Sequence, residues 1–74
     1  MDGIGTQQAL AITLNGEPVT THARTLYELV EHQRFIGLKV ATAMNGRFVA
    51  QSQRATTVLK AGDRVEIVSP RQGG

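Results

Sequence analysis

Apolar residues alternate with small or polar ones where the patterned part of the chain begins. Leu10, Ile12 and Leu14 are separated by Ala11 and Thr13, with Ala9 ahead of them. A period of two predicts a half-buried strand. Asn15-Gly16 follows, and both residues tolerate positive φ, so a tight hairpin turn is expected there. Residues 17–21 form the return strand, with Pro18 near its start, as suits an edge position. At residue 25 the period changes. Thr25 and Glu28 stand at capping-box spacing, and Leu26, Leu29 and Val30 fall on one apolar stripe. These signals predict a helix over residues 25–34. The Phe35-Ile36 pair then tucks under the domain and Gly37 marks the stop.

The pattern returns to strands at residues 39–44. A second Asn-Gly pair, Asn45-Gly46, turns the chain into a short strand over residues 47–50. Both faces of this hairpin carry small or apolar residues, so the pattern leaves open which side of Val40, Thr42 and Met44 meets the helix. Residues 51–57 are polar and without period, and read as a loop. Val58-Leu59 is a short apolar anchor. Lys60-Ala61-Gly62-Asp63 is a turn in which Gly62 supplies the positive φ. The last strand, residues 64–69, points Val65 and Ile67 one way and Glu66 and Val68 the other. Pro70 ends the ladder, having no N–H to donate.

Two hairpins cannot bury their apolar faces alone, and neither can one short helix. The economical solution is an α+β roll, with the helix packed across a mixed sheet of four to five strands. The handedness of parallel crossovers then constrains how the first and last strands lie together. The expected organisation is a flexible leader over residues 1–7, a domain over 8–69 and a mobile tail over 70–74.

Composition removes several function classes. The chain has 74 residues, enough for one domain that buries about 60% of its unfolded surface, so a deep enclosed active site is not expected. It has no cysteine, which excludes disulfides, thiolate metal sites and a cysteine nucleophile. No stretch has the length of a membrane span and no signal-peptide pattern is present, so a cytoplasmic protein is expected. The formal charge is +2 and the pI about 9.7. Arg24, Arg34, Arg47, Arg54, Arg64, Arg71 and the two lysines are scattered, and Tyr27, Phe35 and Phe48 are too few for base stacking. A mildly basic face meeting an acidic protein partner fits better than nucleic acid. His22 and His32 lack ligand spacing and read as surface residues, with no metal expected. Asp63 reads as a turn residue. No nucleophile–base or acid pair stands out, so an enzyme reading has no supporting constellation.

What remains is the end of the chain, Arg71-Gln72-Gly73-Gly74, a short polar arm carrying an unhindered carboxylate. Background glycine usage gives such a pair by chance about once in 200 chains; its weight comes from the strand, proline stop and spacer before it. Glycine lets a backbone take any φ and approach phosphates closely. Arg71 and Gln72 are expected to pair their polar groups in a partner's groove. Val68 and Phe48 are candidates for a docking surface, although single exposed apolar residues are common.

Taken together, the Asn15-Gly16 turn, the Thr25-Leu26-Tyr27-Glu28-Leu29 helix start, Met44-Asn45-Gly46-Arg47-Phe48-Val49, Leu59-Lys60-Ala61-Gly62-Asp63-Arg64-Val65-Glu66-Ile67 and the Gly-Gly end resemble the ThiS family, ubiquitin-like sulfur carriers of thiamine thiazole biosynthesis. The resemblance spans residues 9–74. The chain departs from the family at Ala50-Gln51-Ser52, which lacks the Pro-Arg pair common there. The resemblance implies a β-grasp fold. It also implies that a ThiF-type enzyme uses ATP to adenylate the Gly74 carboxylate. A persulfide from a sulfurtransferase system then yields a thiocarboxylate, whose sulfur goes to thiazole synthase, ThiG. The carrier itself binds no cofactor. Two other readings share part of this pattern. One is a MoaD-like small subunit of molybdopterin synthase, against which Arg71-Gln72 argues. The other is a non-conjugating ubiquitin-like interaction module, which would be indifferent to loss of Gly74.

Overall fold

The computed structural model describes residues 8–33 and 39–69. The leader, Arg34 at the expected helix end, Phe35-Ile36, the Gly37 stop and the tail at 70–74 lie outside the described residues.

The alternating segment forms β1 (Leu10–Leu14), and the return strand is β2 (Glu17–Thr21). Between them Asn15 and Gly16 have φ of 51° and 84°, the paired positive values of the hairpin turn that matches strand twist. The pair pairs antiparallel, Ile12 opposite Val19 and Leu14 opposite Glu17. The helix α1 (Leu26–His32) follows, shorter than its pattern suggested. Thr25 caps it, its hydroxyl accepting from Glu28 N–H at 3.2 Å. The Glu28 carboxylate reaches one residue further back than a capping box requires and accepts from Arg24 N–H at 2.6 Å. Leu26 and Leu29 are buried, and Val30 packs against the core from a half-buried position.

Then come β3 (Ala41–Met44) and β4 (Arg47–Val49), joined by Asn45 and Gly46 at φ 53° and 83°. The last strand is β5 (Arg64–Val68). Among the described residues the sheet has five strands in the order β2-β1-β5-β3-β4. It is mixed: β1 runs parallel to β5, Thr13 opposite Arg64 and Leu14 opposite Val65, while β3 runs antiparallel to β5. Pro18 therefore sits on an edge strand, where its missing N–H takes nothing from the sheet. The final strand lies in the middle, so β5 is held from both sides.

One face of the sheet packs on α1. Ile12, Val65 and Ile67 meet Leu26, Leu29 and Leu59 there, all nearly solvent-free. The question left open at the second hairpin is answered by Thr42, which is 1% exposed and opposite Ile67. The set Val40, Thr42 and Met44 faces inward, and Ala41 and Ala43 face out.

Residues 51–57 are not a loop. Gln51–Thr56 form a 3-10 helix, closed by Gln53 N–H to Ala50 C=O at 2.9 Å and Thr57 N–H to Arg54 C=O at 3.2 Å. The hydroxyls of Thr56 and Thr57 also donate to Gln53 C=O. A polar composition misled the reading because this turn is held by hydroxyl back-bonding and by one inward side chain, not by an apolar stripe. That side chain is Arg54, only 8% exposed. Its Nε donates to Thr42 Oγ1 at 3.0 Å and its Nη2 to Val40 C=O at 2.7 Å. Thr42 in turn donates to Val49 C=O at 2.7 Å. The apolar anchor also divides: Leu59 is buried, whereas Val58 is 60% exposed and makes an isolated bridge to Thr25.

Thr42→Val keeps the shape but strands both Arg54 Nε and Val49 C=O. It should lower unfolding stability by about 1–3 kcal/mol despite valine's strand preference, seen as a lower urea midpoint with an unchanged slope.

Candidate functional site

The face of the sheet opposite α1 carries no helix among the described residues. Its side chains follow from register. Ala43 stands opposite both Phe48 on β4 and Glu66 on β5, and Ala41 stands opposite Val68. A row of side chains thus runs Phe48-Ala43-Glu66 across three strands. Alanine contributes only a Cβ, so the middle strand forms a low floor between larger neighbours. The result is a shallow cleft of about 470 Å³ bordered by Asn15, Ala41, Ala43, Phe48, Glu66 and Val68.

Phe48 is 73% exposed and Val68 54% exposed. The two candidates from the sequence therefore lie on one face and border one cleft. Alternation on β5 explains why: Val65 and Ile67 are 1% and 3% exposed beneath the sheet, which leaves Glu66 and Val68 on top. Two apolar groups converging on a small-residue floor, with one carboxylate beside them, suit contact with another protein surface. Among the described residues lining the cleft, Glu66 is the one ionisable group, so no acid–base pair is assembled there.

The remaining site candidates, Arg71, Gln72, Gly73 and Gly74, lie outside the described residues. In the sequence Ser69 and Pro70 separate them from β5, the strand that carries Val68. His22 and His32 border one groove of about 330 Å³ beside the end of α1. Among the described residues no group of three or more His, Cys, Asp or Glu could hold a metal ion. Asp63 acts as a turn residue, its carboxylate accepting from Lys60 N–H at 2.8 Å and Asn45 Nδ2 at 3.0 Å. No described helix is long and apolar enough to cross a membrane.

Sequence reading missed Asn15 as a neighbour of this face. Its amide bonds to the Ile67 main chain, 52 residues away. The Asn-Gly turn signal pointed to the backbone conformation and was silent about the side chain.

Residues 7–74 match the model of the ThiS family. No curated protein matches the chain. Among solved structures, the crystal structure of a thiamine biosynthesis protein (ThiS) from Geobacter metallireducens superposes with a TM-score of 0.70 at 27% sequence identity, covering 80% of this chain and 91% of that one.

The two faces of the sheet should separate in a stability measurement. Phe48→Ala on the open face should change unfolding free energy by no more than about 0.5 kcal/mol. Ile67→Ala beneath the sheet should cost about 2–5 kcal/mol. Urea denaturation of the two variants reads the difference.

Proposed function

The chain belongs to the ThiS family, and from that premise we propose that it is a sulfur carrier of thiamine biosynthesis that works through a thiocarboxylate on Gly74. The observation that carries this reading is the continuity between the open face and the end of the chain. β5 presents Val68 on the cleft that Phe48 also borders, and in the sequence Ser69 alone separates Val68 from Pro70-Arg71-Gln72-Gly73-Gly74, so a partner that grips the face binds the strand that leads to the tail.

The chemistry divides between carrier and partners. A ThiF-type activating enzyme docks on the open face and holds ATP. An oxygen of the Gly74 carboxylate attacks the α-phosphorus, pyrophosphate leaves, and an acyl-adenylate forms. A persulfide sulfur from a sulfurtransferase then attacks the acyl carbon and AMP leaves. A thiol cleaves the resulting acyl disulfide and departs oxidised, and the thiocarboxylate remains. Thiazole synthase of the ThiG type accepts the sulfur. A carboxylate is a weak nucleophile, and positioning plus phosphate-binding groups on the partner lower the barrier. The carrier needs no base or cofactor of its own, and we propose that it is a protein substrate and not a catalyst. The reading places it in the cytoplasm, with neither nucleic acid nor membrane as partner.

Residue types agree with these roles. Glycine at the tip passes a narrow channel and lies close against phosphates. Arg71 and Gln72 offer donors and acceptors to the walls of a groove. The absence of cysteine from the chain leaves no internal thiol to intercept the adenylate.

Intact mass after incubation with ATP, a competent activating enzyme and a persulfide donor should show one oxygen replaced by sulfur in the C-terminal peptide. Deleting Gly74 should abolish the change while the melting temperature stays put. An unaltered wild-type mass, with the enzyme competent on another carrier, would turn the assignment to an interaction module. Sulfur passing to a molybdopterin synthase large subunit, and not to thiazole synthase, would turn it to the MoaD-like reading. The double variant Phe48→Ala/Val68→Ala should raise the KM of the activating enzyme for the carrier by about tenfold or more, as loss of central apolar anchors does.

A further inference from the structure

The parallel contact between β1 and β5 is short. Thr13 N–H donates to Asp63 C=O at 3.0 Å and Asn15 N–H to Val65 C=O at 2.9 Å. There β1 must leave, because Asn15-Gly16 turns it into β2. The next main-chain groups of β5 on that side belong to Ile67. They do not lack a partner. Ile67 N–H donates to Asn15 Oδ1 at 2.9 Å, and Asn15 Nδ2 donates to Ile67 C=O at 3.1 Å. A carboxamide carries the same donor and acceptor as a peptide group, so one side chain continues the ladder where the backbone cannot.

Its position gives that substitution a consequence. On its other side β5 is paired with β3 as far as Val68, opposite Ala41. Among the described residues, Asn15 is the last hydrogen-bonded anchor on the β1 side before Ser69. Without it, the final residues of β5 would hold to one neighbour only, and strand ends held on one side fray. We propose that Asn15 is a positioning residue for the reactive end of the carrier: by clamping the Ile67 main chain, it fixes the end of β5, the strand that leads in sequence to the tail. This rests on the carrier reading above.

The molecule supplies its own control. Asn45 is the matching residue of the other Asn-Gly turn, with φ 53° against 51° for Asn15. Its amide holds the first residue of the same strand and the turn before it, Arg64 N–H donating to Oδ1 at 2.8 Å and Nδ2 donating to the Asp63 carboxylate at 3.0 Å. It does so at the opposite end of β5, away from the tail. Glycine in place of either asparagine removes the amide and keeps the positive φ unstrained. A merely structural role would make the two variants behave alike.

The test is steady-state pyrophosphate release by an activating enzyme shown to adenylate the wild-type chain, using Asn15→Gly and Asn45→Gly as full-length carriers, with amide hydrogen exchange on the same samples. The expected result for Asn15→Gly is a kcat lower by about tenfold with KM changed less than threefold, since the apolar anchors of the docking face, Phe48 and Val68, are kept while the reacting carboxylate is misplaced. Exchange should accelerate at Ile67 and Ser69. Asn45→Gly should keep kcat within about twofold and accelerate exchange at Arg64 instead. Equal kcat values for the two variants, or a loss in Asn15→Gly confined to KM, would overturn the positioning role and leave the carrier reading standing. A wild-type chain that no competent activating enzyme adenylates would overturn both.

Discussion

The structure depends on holding its last strand in the middle of its sheet. β5 is made last in the chain yet lies between β1 and β3. Its inward residues, Val65 and Ile67, join Ile12 with Leu26 and Leu29 of the helix. A small domain has little apolar area to spare, so the strand that leads to the tail is also the strand on which the core closes. Both Asn-Gly turns send their amides to it or to the turn before it. The hairpins are thereby tied to β5 by their corners as well as their strands.

That placement divides the sheet into two faces with different tasks. The inner face is sealed by α1, by Leu59 and by the 3-10 helix, whose Arg54 reaches beneath β3 to Thr42 and Val40. A guanidinium so enclosed is tolerable because neutral acceptors take its N–H groups and its long stem packs as an apolar side chain. The outer face keeps Phe48 and Val68 in water above an alanine floor. Exposed apolar groups add nothing to folding and become useful when a partner covers them.

A ThiS-family carrier can in this way be small. On the proposed reading, its reactive group is the end of its own chain and the machinery of activation resides on its partners. What the fold must contribute is a firm surface to grip and a defined point of departure for the tail. In the β-grasp arrangement one strand holds Val68 on the open face and Ile67 clamped next to it.

Much of this was legible in order along the chain. The period-two run at residues 10–14, the two Asn-Gly turns, the Thr25 cap, the Gly62 turn and the alternation of β5 all appear in the structure, because each depends on a residue's own conformational preference or on neighbours a few positions away. The tertiary structure alone decided which face of β3 is buried, since Ala41, Thr42 and Ala43 differ too little in polarity to announce it. It turned the polar segment at 51–57 into a 3-10 helix, because Arg54 finds its acceptors on a strand already folded above it. It also gave Asn15 a partner 52 residues away. Such contacts join positions that only the closed sheet brings together, and no local pattern encodes them.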